Sequence, residues 1–121
     1  MVDLSDLTKS LNLRMLSPSK RKELNIQSAE LNRPGLELVG YYDHFAFERP
    51  QVLGNVEMGY LMDLSPKNRA SKLNKFFSYD IPCVILCRGH VPPDEMLQIA
   101  TEKDLPILGS DMSTTGFIVS A

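Results

Sequence analysis

The sequence lacks the two glycine-rich loops with which many α/β proteins hold phosphate. None of its seven glycines is followed by lysine, so the phosphate loop G-x-x-x-x-G-K-[ST] is absent. No two glycines are separated by a single residue, which excludes the dinucleotide fingerprint G-x-G-x-x-G. Because both motifs depend on close approach of the backbone to phosphate, the sequence predicts a chain without a catalytic or cofactor-binding site of these kinds.

Side chains suited to metal binding and to disulfides are also scarce. A zinc site needs three or four ligands, and neither His44 nor His90 has a cysteine or carboxylate at helical spacing on a predicted helix. Cys83 and Cys87 lie on one predicted strand, so their Cα atoms would be about 13 Å apart, well beyond the ~7 Å limit of a disulfide. We therefore expect no metal site and two buried free thiols.

Long apolar runs and an excess of one charge are absent as well. The chain carries 13 basic and 15 acidic side chains, whereas nucleic-acid partners favour a basic excess. No run approaches the ~20 apolar residues that span a membrane, and the opening residues resemble neither a signal nor a transit peptide. With 43% hydrophobic residues, we expect one folded cytoplasmic domain over residues 1–121, with neither nucleic acid nor membrane as partner.

The sequence does contain a strand-loop-helix pattern, which occurs three times. Apolar runs at residues 51–55, 82–89 and 106–110 each reach a glycine, and a helical pattern follows each of them. Units of this kind build a parallel sheet covered by helices. The sequence therefore predicts an α/β fold with a mostly parallel sheet of about four to six strands flanked by helices.

Apolar spacing and capping residues predict the individual elements. Asp3 is a candidate N-cap for the first helix, and Ser65 followed by Pro66 is a strong helix start. Helices are predicted at residues 3–11 and 56–64, from Pro66, from residues 92–95 and from residues 113–115; further strands are predicted at residues 13–16, 24–26 and 36–41.

The helix from Pro66 also carries a row of basic residues. Arg69, Lys72 and Lys75 stand at i, i+3 and i+6 with no acid between them, which predicts an exposed basic ridge. Such a ridge is either a solvated helix face or a surface for an acidic partner.

Polar residues follow the predicted strands at one edge of the sheet. Ligands of open parallel sheets bind beyond the carboxyl ends of the strands, so we expect a groove there for a small anion or a docking partner, although loops of any α/β domain are polar. The last helix start offers two hydroxyl groups, either for an anion or as a plain N-cap. The candidate residues are Asp43, His44, Asn55, Arg88, His90, Ser113 and Thr114.

Taken together, four segments resemble one known family. Residues 31–43 (containing Arg-Pro-Gly-Leu), 48–54, 82–89 (ending in Arg-Gly) and 113–115 (Ser-Thr-Thr) are similar, in order and spacing, to the amino-terminal domain of the bifunctional HPr kinase/phosphorylase family. The resemblance covers nearly the whole chain. It implies a fold similar to the small amino-terminal domain of muramyl-peptide ligases.

The resemblance also implies a function. Enzymes of the family phosphorylate a serine of the bacterial phosphocarrier HPr, and reverse that reaction, to control carbon use. It implies that ATP, magnesium and HPr bind a carboxyl-terminal kinase domain beyond residue 121, and that the present domain has no catalytic or cofactor-binding residue of its own. Its partners would be that kinase domain and the neighbouring subunits of a hexamer.

Two other hypotheses remain open at this point. The chain is alternatively a free-standing module that binds a small anion or sugar-nucleotide with the sheet-edge loops. The other hypothesis is that the chain is a small enzyme that uses Cys87 or His90, although neither residue has an activating partner visible in the sequence.

Overall fold

A four-stranded sheet lies between two helical layers in the computed structural model, which describes residues 1–26 and 30–120. The predicted α/β class with a mostly parallel sheet is confirmed. In chain order the elements are β1 (Val2–Asp3), α1 (Leu4–Ser10), β2 (Arg14–Ser17), β3 (Glu23–Leu24), α2 (Gly35–Leu38), β4 (Gln51–Leu53), α3 (Asn55–Asp63), α4 (Pro66–Phe76), β5 (Val84–Leu86), α5 (Asp94–Lys103), β6 (Ile107–Gly109) and α6 (Thr114–Ser120).

The strands of the main sheet follow the spatial order β2-β6-β5-β4. The last three strands are parallel, with Leu53 opposite Leu86 and Leu86 opposite Gly109. β2 pairs antiparallel with β6, and β1 with β3 form a separate small sheet. The carboxyl ends of β4, β5 and β6 therefore share one edge, as the sequence predicted.

Side chains of the parallel strands alternate between two apolar layers. Leu53, Leu86 and Ile107 face the layer of α3, α4 and α5. On the other face, Val52, Ile85 and Leu108 pack with Leu4 of α1 and Phe117 of α6. All eight of these side chains are less than 9% exposed. Because both faces of the strands are buried, the strand sequences are continuously apolar and do not alternate between apolar and polar residues.

The predicted strand at residues 36–41 is wrong. That segment begins with the short helix α2, in which the N–H of Leu38 donates to the carbonyl of Pro34 at 3.0 Å. Leu38 is buried, but Leu36 and Val39 are 63% and 52% exposed. The alternation of apolar residues thus reflected one buried side chain of a helical turn and not the face of a strand.

The predicted basic ridge on α4 is wrong at Arg69, which is 8% exposed. Its guanidinium donates to the carbonyl oxygens of Leu61 and Leu64 at 2.8 Å each and pairs with Glu95 at 2.8 Å. It therefore binds the carbonyl end of α3 and the first turn of α5. The buried arginine joins three helices, and the solvent-facing basic residues of α4 are its lysines.

The two cysteines are free and buried, as expected. Burial raises the pKa of the Cys83 thiol to about 12. It also raises the pKa of Tyr42 to about 12, with smaller contributions from Tyr79 and Glu37. Both groups are neutral in the folded protein at physiological pH.

Alkaline pH is expected to destabilise the fold. Cys83 ionises near pH 9 and Tyr42 near pH 10 in the unfolded chain, and both near pH 12 in the folded protein. Their stabilising contribution is thus complete below about pH 9 and is lost as the pH rises through about 12. Urea unfolding at pH 8 and at pH 10.5 measures this loss. Cys83→Ala should reduce the difference between the two conditions, and equal free energies of unfolding for the natural chain would contradict the prediction.

Candidate functional site

The loops after β5 and β6 leave the sheet in opposite directions. The first leads to α5 in one layer and the second to α6 in the other, an arrangement that opens a ligand crevice in many α/β proteins. Here main-chain hydrogen bonds join the two loops: the N–H of Arg88 donates to Met112 at 2.8 Å and that of Gly89 to Ser110 at 2.9 Å. The edge therefore presents a surface at the place where a crevice is expected.

Two consecutive left-handed residues produce this closed turn. Arg88 has φ of 56° and Gly89 has φ of 68°. The left-handed conformation costs a residue with a side chain about 1–2 kcal/mol, whereas glycine adopts it freely. The turn leaves the Arg88 side chain exposed, and within the described residues its guanidinium forms no ion pair.

One side-chain hydrogen bond links this turn to the start of α3. His90 Nε2 lies 2.7 Å from Asn55 Oδ1. The bond fixes the imidazole at the protein surface and brings together two of the residues singled out in the sequence.

A second network at the same edge contains Arg33 of the Arg-Pro-Gly segment. Its Nη2 donates to both carboxylate oxygens of Glu57, at 3.0 and 3.1 Å. Glu57 is 4% exposed and accepts the N–H of Gly54 at 2.6 Å. The hydroxyl of Thr114 lies against Gly54 so closely that a methyl group there would overlap it. Three segments that carry the family resemblance therefore meet in one packed node, the Gly54 node, formed by Arg33, Gly54, Glu57 and Thr114.

Cys87 adjoins this node but is not activated. Burial raises the pKa of its thiol, and the hydrogen bond with Thr114 and the nearby Arg33 and Arg88 oppose the rise only in part. A nucleophilic cysteine requires the opposite shift. The structure thus offers no support for catalysis by Cys87.

The remaining candidate residues have other surroundings. Ser113 is a plain N-cap, since its Oγ accepts the N–H of Gly116 at 3.0 Å. The placement of Asp43 and His44 at the carboxyl edge is wrong, because no strand at residues 36–41 carries them there. They lie beside Tyr42, whose ring stacks on Tyr79 with 5.1 Å between centroids, and Tyr79 precedes β5 at the opposite edge of the sheet.

Sequence reasoning missed the Gly54 node and the role of Arg69. Glycine at an N-cap with glutamate three residues later is a helix-start signal, and it was visible at Gly54 and Glu57. For Arg69 the sequence holds no comparable signal, because its carbonyl partners on α3 become neighbours only in the folded chain.

Metal sites and membrane-spanning helices are two further features that the described residues could contain. Within residues 1–26 and 30–120, no group of three or more histidine, cysteine or acidic side chains is arranged to hold a metal ion. Of the helices in that part of the chain, none has the length and apolar character to cross a membrane.

The family profile and the similar proteins agree on one family. The family profile described as HPr Serine kinase N terminus matches residues 2–121. The HPr kinase/phosphorylase of Clostridium perfringens strain SM101 is 44% identical over 117 residues, which are 97% of this chain and 38% of that protein. The protein of the same name from Alkaliphilus metalliredigens is 41% identical over the same shares. The chain thus spans little more than a third of the length of these relatives.

A solved structure shares the fold. The CBS and DRTGG domains of the regulatory region of Clostridium perfringens pyrophosphatase, complexed with the activator diadenosine tetraphosphate, superpose with a TM-score of 0.67. The match covers 98% of this chain and 47% of that one at 10% sequence identity, so it describes the fold alone.

Proposed function

Because the chain belongs to the family of HPr serine kinase N-terminal domains, we propose that it is the non-catalytic regulatory and assembly domain of an HPr kinase/phosphorylase. One observation carries the proposal: relatives of that name match 97% of this chain with only the N-terminal 38% of their own length. The kinase and phosphorylase chemistry then belongs to the rest of the polypeptide. Its substrate is a serine of HPr, as in the family.

The division of labour follows from the missing phosphate-binding loop. A chain with neither glycine-rich phosphate motif leaves ATP and magnesium to the kinase domain, which also binds HPr. The present domain contacts that kinase domain and the neighbouring subunits of a homo-oligomer, which is a hexamer in the family.

The free-standing anion-binding module receives no comparable support. Main-chain bonds join the loops where its crevice would open. The hydroxyls of Ser113 and Thr114, which the module would use for its anion, are engaged within the domain.

ATP with magnesium is expected to leave the melting temperature of the 121-residue chain unchanged. The same addition should stabilise the full-length protein, by about 2.7 kcal/mol when ATP is present at 100 times its Kd. Differential scanning fluorimetry of both proteins provides the measurement, with HPr phosphorylation by the full-length protein as the parallel assay. Stabilisation of the short chain by ATP, or a full-length protein that does not phosphorylate HPr, would disprove the proposal.

A further inference from the structure

Three exposed apolar residues lie on the segments that follow β4, β5 and β6. Val56 is 73%, Val91 79% and Met112 40% exposed. Val56 follows Asn55 and Val91 follows His90, and these two polar residues are hydrogen-bonded. Met112 is bonded through its carbonyl to Arg88. The three residues therefore stand on neighbouring segments at the carboxyl edge of the sheet, because Leu53, Leu86 and Gly109 end adjacent strands in register, and with Arg88 and His90 they form what we call the carboxyl-edge patch.

The shape of this patch suits a protein partner better than a small molecule. Small ligands occupy concave sites that enclose most of their surface, whereas main-chain hydrogen bonds join the two loops between which a crevice would open at this edge. Methionine and arginine, which are represented here by Met112 and Arg88, are enriched in protein interfaces relative to the rest of the surface.

The ion pairs at this edge indicate the charge of the partner. Arg14 is paired with Asp111 at 2.7 Å and Arg33 with Glu57 at 3.0 Å. Arg88 lies at the same edge but has no ion pair among the described residues. A complementary surface would place a carboxylate against Arg88 and apolar side chains against Val56, Val91 and Met112.

We propose that the carboxyl-edge patch docks against the kinase domain of the full-length protein, through an apolar surface that carries a carboxylate for Arg88. This inference rests on the proposed function. The matched relatives have about three-fifths of their length outside the present domain, and domains joined in one chain commonly bury 600–1,500 Å² against each other, by rough estimate. The patch combines exposed apolar residues with an arginine that has no ion pair within residues 1–26 and 30–120, and such an interface would cover the first and neutralise the second.

Hydroxyl-radical footprinting of methionines tests the docking. Met112 lies in the patch, whereas Met62 on α3 is 53% exposed outside it and serves as internal control. In the full-length protein, oxidation of Met112 should fall about fivefold relative to the 121-residue chain, because interface cores are packed like protein interiors. Oxidation of Met62 should be equal in the two proteins.

A matched pair of variants provides a second test of the docking. Val56→Asp with Val91→Asp in the full-length protein should restore Met112 oxidation, while Leu36→Asp, at a 63% exposed site on α2, should not. Both variants should leave the melting temperature of the 121-residue chain unchanged, since the altered side chains are exposed. Equal oxidation of Met112 in the long and short natural proteins would overturn the docking. Concentration-dependent protection in the short chain would also overturn it, in favour of a second copy as the occupant.

The parallel HPr phosphorylation assay separates the two proposals. A full-length protein that phosphorylates HPr but leaves Met112 unprotected refutes the docking alone. A full-length protein without that activity refutes the proposed function whatever the footprint shows.

Discussion

Replacing Arg69 by methionine is expected to lower the free energy of unfolding by about 3–5 kcal/mol, because it breaks from one side an ion pair whose side chains are only 10% and 23% exposed. Methionine retains most of the apolar stem but leaves the Glu95 carboxylate without its cation. The carbonyls of Leu61 and Leu64 also lose the guanidinium as a donor. At about 4 °C per kcal/mol for a domain of this size, the melting temperature should fall by roughly 12–20 °C.

The control lies on the same helix. Lys67→Met alters an exposed residue of α4 and should change stability by less than about 0.5 kcal/mol. Arg69→Met combined with Glu95→Met should recover part of the loss, since the stranded charge is then removed as well. If Arg69→Met unfolds at the same urea concentration as the natural chain, the guanidinium does not connect the three helices as described.

Replacing Gly54 by alanine is expected to cost about 1–3 kcal/mol through overpacking. The backbone at Gly54 has φ of −116°, which alanine adopts without strain, so the cost is steric. The new methyl group would overlap the hydroxyl of Thr114 and approach Arg33 Nη2, which lies 3.4 Å from the Cβ position. Chemical denaturation at neutral pH measures the effect.

Gly59 provides a matched comparison in the same helix. A methyl group there meets nothing within 4 Å, so Gly59→Ala should stabilise α3 by about 0.5–1 kcal/mol. Removal of the Thr114 hydroxyl should relieve the clash, and Gly54→Ala with Thr114→Ala should be less destabilised than the sum of the single variants. Strict additivity would show that the methyl group at Gly54 and the Thr114 hydroxyl do not meet.

The parallel sheet and its helices could be predicted because local signals agreed with the fold. Ser65 does cap α4, with its Oγ accepting the N–H of Asn68 at 3.2 Å, and Asp3 caps α1 in the same way at 2.9 Å. The strands at 51–53, 84–86 and 107–109 combine apolar runs with glycine-containing loops. The failure at residues 36–41 came from a segment too short to separate a period of two from a helical turn.

The candidate site was predictable only in part. Asn55, Arg88 and His90 were placed correctly at one edge because strand ends follow directly from the parallel topology. The error at Asp43 and His44 followed from the wrong strand before them. The hydrogen bonds that close the turn between the β5 and β6 loops depend on the left-handed conformation of Arg88, which no rule of residue type predicts for arginine.

The layer formed by α1 and α6 has a consequence for synthesis on the ribosome. Leu4 and Phe117 cover the same face of the sheet, although they come from nearly opposite ends of the 121 residues. At about 5–20 residues per second, Phe117 is added roughly 6–23 s after Leu4. During that interval Val52 and Ile85 are synthesised, and Leu4 is the part of their cover that already exists, because Phe117 is still missing. In a longer polypeptide, translation of the following residues gives α6 time to close the layer before the next domain emerges.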